Sequence, residues 1–221
     1  MTATLRRRPL ESGELLRQEA KSSNPVWNPD IALAECAPFG FQRATMDQIP
    51  EAHAAAESIM GMKLAPVSAF ANTHERTGGT VYVLRERPKA AAGAASADAP
   101  PAEPGSDISA VVLLLPLSPR GEEDMRSGEF NTYAPQPNQM CAPGDPFPAM
   151  YVWLYAGRGM RARLNVLRAC VAWRDGEYTQ VKCYGRGASP EGAHAMEHLG
   201  FHRLGFGVPD LFFIDKRPEG V

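Results

Sequence analysis

Residues 149–204 constrain this chain most, because strand and helix patterns alternate there with the turn chemistry that joins them. Ala149-Met-Tyr-Val-Trp-Leu-Tyr155 is an apolar run of strand length, rich in aromatic and β-branched residues. Gly157-Arg-Gly159 follows, and then Met160, Leu164, Leu167 and Val171 recur at spacings of four, three and four. That spacing predicts a helix that lays these four side chains on a sheet. Their burial would contribute roughly 6–12 kcal/mol as an upper estimate. Beyond Asp175-Gly176, the alternation over residues 178–184 predicts a half-buried strand. Ser189 and Pro190 then offer an N-cap and a first helical position. Gly192, Ala193, Met196 and Leu199 form the inner face of that last helix, and Gly200 predicts a stop that folds Phe201 back toward Met196.

The glycine junction carries the chemistry. Glycine lets the backbone take positive φ and lets a ligand approach closely. The first N–H groups of a helix have no acceptor inside it, and the helix dipole adds partial positive charge there. Arg158, Arg161 and Arg163 crowd this turn, where acidic residues are usual. Between Gly157 and Gly187 seven Lys or Arg stand against Asp175 and Glu177 only. A bound diphosphate reconciles these features. A tight turn with solvated arginines is the plainer alternative, since a lone GxG is a weak signal.

At 221 residues the chain suits one domain with additions. A net charge of −2 gives no pull toward nucleic acid or a membrane surface. Cys36, Cys141, Cys170 and Cys183 form no CxxC pair, which reads as reduced thiols in a cytoplasmic protein. No apolar run approaches the roughly 18 residues of a membrane span. The basic start lacks the apolar core of a secretory signal.

Residues 1–38 read as an N-terminal extension, with a short helix over residues 9–20 carrying Leu10, Leu15 and Leu16. A short strand at Phe41 leads to caps at Thr45 and Asp47, a helix over residues 51–60 and a stop at Gly61. A second, shorter helix is expected within residues 63–75, and strands at residues 80–85 and 109–115. Two insertions interrupt the pattern. The one at about residues 88–107 is almost wholly Ala, Pro, Gly and Ser and predicts a mobile hairpin loop. The one at residues 116–148 has seven prolines but also Phe130, Tyr133, Met140 and Phe147, which predicts an ordered loop near the glycine turn. Such a loop serves either as a lid on the substrate side or as a cover over a sheet edge. A hairpin around Val208-Pro-Asp210 closes the chain.

The order strand, helix, helix, three strands, helix, strand, helix and two strands, with a glycine turn after the fourth strand, resembles the GNAT acyltransferase superfamily. Ala188-Ser-Pro-Glu-Gly192 leading through Met196-Glu-His-Leu-Gly-Phe201 carries the likeness best, and Phe41-Gln-Arg-Ala-Thr-Met-Asp-Gln-Ile-Pro50 resembles the family's opening strand and helix cap. The resemblance implies an α/β fold over residues 39–221, with a mixed, mostly antiparallel central sheet flanked by helices. It implies acetyl-CoA or another acyl-CoA as co-substrate, a small-molecule or peptide amine as acceptor, and a homodimer as a frequent state. The pantetheine would run along the fourth strand where it splays from the fifth, bordered by Leu154 and Tyr155. Gly157, Arg158, Gly159, Met160 and Arg161 would hold the diphosphate.

Two positions depart from the family's pattern. Ala156 and Arg161 replace a polar residue and a glycine of the family turn, and Met196 stands where the family has a tyrosine that protonates the leaving thiolate. A thioether donates no proton. His194 and His198 lie about 200° around the helix from Met196 and read as surface residues. Tyr184, near the end of the fifth strand, is the candidate acid, with Tyr155 second. Glu122, Glu123, Asp124 and Glu129 are the candidate bases on the insertion. The alternatives are a GNAT-like ligand-binding or regulatory domain without catalysis, and an interaction module acting through its proline-rich insertion.

Overall fold

The computed structural model describes residues 25–86, 107–187 and 189–215. The helix expected over residues 9–20 and nearly all of the 88–107 insertion lie outside the described residues. The described residues form seven strands: β1 Phe41–Arg43, β2 Val81–Arg85, β3 Ile108–Leu117, β4 Ala149–Gly157, β5 Lys182–Arg186, β6 His202–Arg203 and β7 Leu211–Ile214. They form one sheet in the order β1-β2-β3-β4-β5-β7-β6. Every neighbouring pair is antiparallel except β4 and β5, which are parallel. The helices are α1 Pro29–Cys36, α2 Ile49–Met60, α3 Val67–Arg76, α4 Pro119–Ser127, α5 Gly159–Asp175 and α6 Pro190–His198. The fold is therefore mixed α/β with a mostly antiparallel sheet. Its element order is the one the resemblance implies, with α1 and α4 added.

Helices cover both faces of the sheet. On one, α1, α5 and α6 enclose a core that includes Trp27, Tyr82, Val112, Val166, Trp173 and Met196. On the other, α2 and α3 cover the β1–β3 side with Ile49, Ala52 and Phe70. The 116–148 insertion covers the β4–β5–β7 side with Met125, Phe130 and Met140. β3 is buried along its whole length, which explains its unbroken apolar run.

Local signals placed the ends of elements well. Thr45 and Gln48 form a reciprocal capping box, and Gly61 is left-handed at the end of α2. The Ser189 hydroxyl accepts from the Gly192 N–H at the start of α6. At its other end the Phe201 N–H donates to Met196 O and the Gly200 N–H to Glu197 O, the expected Schellman closure.

Four expectations change. The buried face of α5 is Ala162, Val166, Ala169 and Trp173, whereas Met160, at 75% exposure, and Leu164 and Leu167 face outward. The two stripes are offset by two residues, about 200° of helix. The helix backbone approaches the sheet too closely for the bulkier stripe: a Cβ on Gly157 would lie 2.9 Å from Arg163 N.

The second change is that β5 starts at Lys182, not at residue 178. Tyr178 instead joins an aromatic cluster with Trp27, Phe147 and Trp173, and its hydroxyl donates to Asn28 O at 2.9 Å. Thirdly, residues 25–38 of the expected extension are built into the domain. Trp27 is 0% exposed and its Nε1–H donates to Thr77 O. Finally, the 116–148 insertion is more than loop, since α4 begins on a Ser118 cap.

Candidate functional site

The site begins with one surplus residue. β3 and β4 pair Leu113 with Leu154 and then Leu114 with Val152, so Trp153 is a β-bulge on β4. A bulge bends its strand and increases the local twist. Pairing between β4 and β5 ends at the same level, at Val152↔Gly185. β5 continues along β7 through Arg186↔Leu211, while β4 runs on beside β3 through Gly157. The two parallel strands therefore part at Trp153. Their divergence leaves the last five residues of β4 without a strand on the β5 side. The bulge also fixes which way side chains face: Trp153 and Leu154 pack toward α2 and α3, and Tyr155 toward α5 and α6.

At the top of β4 the Arg158 N–H donates to Ser109 O at 2.7 Å, the last tie to β3. α5 then starts with no side-chain cap. The N–H groups of Gly159, Met160 and Arg161 precede the intrahelical ladder and meet no acceptor among the described residues. Arg158, Met160 and Arg161 are exposed, and neither arginine is paired with an acid among the described residues. Gly159 has φ +74° with open space where a Cβ would stand. Gly157 differs, because α5 rests on it and the Arg163 Nε–H donates to its carbonyl at 3.2 Å. Of the expected diphosphate residues, Gly159, Met160 and Arg161 thus share one uncapped, electropositive helix end, and Gly157 supports it. Of the expected pantetheine residues, Tyr155 faces the gap and Leu154 is buried against the α2–α3 core.

Tyr155 reaches across the divergence. Its hydroxyl lies 3.5 Å from where a Cβ on Gly192 would stand, at the start of α6. Burial, with a smaller contribution from Cys170, raises its pKa, so the phenol keeps its proton at neutral pH. α6 fits closely on the sheet, its Ala193 Cα 2.7 Å from the Cβ position of Gly187. Met196 is 3% exposed and fills the space over Gly185.

Tyr184 lies on the opposite face, in the paired part of the ladder opposite Tyr151. It is 1% exposed, and its hydroxyl donates to Glu122 Oε1 at 3.1 Å. Lys182 Nζ donates to the same oxygen at 2.6 Å. Burial first, then the Glu122 charge, pushes the Tyr184 phenol well above its usual range. Glu122 is thereby singled out from the four acids of the insertion. Asp124 accepts from Gln139 and pairs with Arg120, while Glu123 and Glu129 are exposed. The Glu122–Lys182 pair borders a surface concavity of about 450 Å³ that Arg126 and Phe206 also line.

Three residues that the sequence did not point to close the other side of the divergence. Trp153 Nε1–H donates to Thr132 O at 2.8 Å, and the Arg186 guanidinium donates to Thr132 Oγ1 at 3.3 Å and Pro209 O at 3.0 Å. One insertion residue therefore ties β4 to β5 immediately beyond their last pair. Phe130 packs edge-on against Tyr151 beneath it. The prolines and aromatics signalled an ordered segment, but nothing in the sequence located Thr132.

The thiols offer no nucleophile. All four are free, and burial pushes Cys36, Cys141 and Cys170 up to about 12 and Cys183 higher still. Among the described residues no cluster of three His, Cys, Asp or Glu could hold a metal, and no helix is long and apolar enough to cross a membrane.

No protein-family model matches the sequence, and no curated protein matches it. Among solved structures it is similar to one described as histone acetyltransferase HPA2 and related acetyltransferase from Corynebacterium glutamicum. The TM-score is 0.45 and the identity 16%, over 81% of this chain and 98% of that one. A likeness of that size identifies neither a site nor a substrate.

Proposed function

We propose that the protein is an N-acyltransferase that moves an acyl group, acetyl in the simplest case, from acyl-CoA to a small-molecule or peptide amine. One observation carries the reading: β4 and β5 part at the Trp153 bulge directly below the uncapped, arginine-flanked start of α5. Unpaired backbone along β4 suits an amide-bearing pantetheine, and free helix amides with Arg158 and Arg161 suit a diphosphate. The thioester would then lie beside the bulge, where a β4 amide can polarise its carbonyl. Tyr155, protonated and set in the gap, is the phenol best placed to protonate the departing thiolate. Tyr184 is engaged by Glu122 on the far face.

The acceptor would approach from the Thr132 side. A lysine-like amine must shed a proton first, which costs about 4.6 kcal/mol at pH 7 for an unperturbed group. Four unpaired thiols suit a reducing compartment such as the cytoplasm.

The test is release of CoA thiol from acetyl-CoA against a panel of amines. Tyr155→Phe is expected to lower kcat by at least about 100-fold, the low end of acid–base contributions, with Tyr184→Phe near wild type. The reverse pattern would move the acid to Tyr184. A second reading, an acyl-CoA-binding domain without catalysis, is favoured by Met196 filling the space over Gly185. Tight acyl-CoA binding with no thiol release across the panel would select it.

A further inference from the structure

We propose that His194 and His198 form a bidentate site for a divalent transition-metal ion of the copper, nickel and zinc group. Four residues apart on α6, they lie on one helical face. Both are exposed, on the side of the helix away from buried Met196. Their Nε2 atoms are 2.8 Å apart, with the rings nearly perpendicular at 85°. At that spacing the Nε2–H of one ring donates to Nε2 of the other, and a cation taking the place of that proton would be held by both nitrogens.

Geometry narrows the choice of ion. With metal–nitrogen bonds of about 2.0–2.1 Å, a right-angled chelate needs the nitrogens about 2.9 Å apart, and a tetrahedral one about 3.4 Å. The observed spacing is close to the first, which suits the tetragonal preference of Cu²⁺ and Ni²⁺. Zn²⁺ requires the rings to open slightly. His194-Ala-Met-Glu-His198 also has the H-x-x-E-H spacing found in some zinc sites. Because no third side-chain ligand completes it among the described residues, water fills the remaining positions. The site binds an ion and does not build a hydrolytic centre. A bound ion would clip the last turn of α6, the helix that faces Tyr155 across the gap.

The experiment titrates the untagged, chelator-treated full chain with Cu²⁺, Ni²⁺, Zn²⁺ and Mg²⁺ by calorimetry and thermal melting. The expected result is one ion per chain, affinity in the order Cu²⁺, Ni²⁺, Zn²⁺, and no response to Mg²⁺. His194→Gln and His198→Gln each lower affinity by at least about tenfold, while His202→Gln leaves it unchanged. Both sites are exposed, and circular dichroism checks that the variants fold. Absence of binding at millimolar ion, or binding that survives the double variant, overturns the proposal.

Discussion

Gly157 and Gly159 stand two residues apart and are glycine for different reasons. At Gly157 any Cβ meets the backbone of α5, so Gly157→Ala is expected to destabilise the fold through overpacking, by about 1–3 kcal/mol in chemical denaturation. At Gly159 the space is open and the cost is conformational, so Gly159→Ala should lose only about 1–2 kcal/mol for its positive φ. Their presence was legible in the sequence; the difference was not, because it depends on how closely a helix lies against its strand. His74 belongs to the same scale. It is buried, its Nδ1 accepts the Val81 N–H at 3.2 Å, and burial, aided by Arg43, holds its pKa below the ordinary 6.5. The unfolded chain takes up a proton at this group below about pH 6.5, and the folded chain does so only lower down. Its contribution to stability is therefore complete above that pH and is lost as pH falls toward the folded value. Denaturant midpoints should drop between pH 7.5 and 5.5 by more in wild type than in His74→Gln.

Helices α5 and α6 show what can be read at the scale of an element. The limits of α6 follow from chemistry within a few residues, namely the Ser189 hydroxyl, Pro190, Gly200 and Phe201. The facing of α5 does not, because its sequence carries two helical stripes and the sheet selects the one with the small residues. The stripe with more apolar bulk lost. Trp173→Ala is accordingly expected to cost about 3–5 kcal/mol in unfolding free energy. Leu164→Ala, on the outward stripe, should stay within about 0.5 kcal/mol. The reverse ranking would put α5 in the register that its bulky residues suggest. The Trp153 bulge was illegible for a related reason: a surplus residue exists only relative to the partner strand, and the β3–β4 register is a long-range property.

At the scale of the whole molecule, separate stretches of chain meet where β4 leaves β5. α5 and α6 wall one face of the divergence, and Thr132 ties Trp153 to Arg186 on the other. The resemblance implied the splay, and the bulge supplies its physical cause. The position of residues 116–148 over the sheet depends on contacts such as Thr132 with Arg186, 54 residues apart, which no local pattern reports. If acceptors enter beneath this strap, Thr132→Val and Arg186→Ala should alter KM for the amine several-fold and leave KM for acyl-CoA near wild type. The proposed binding of acyl-CoA in the divergence is tested most directly by amide hydrogen exchange with and without acetyl-CoA. Binding is expected to slow exchange at residues 154–161, and Gly159→Trp, which screens the helix amides, to abolish the effect. Unchanged exchange there at millimolar acetyl-CoA, or protection confined to another surface, would contradict it.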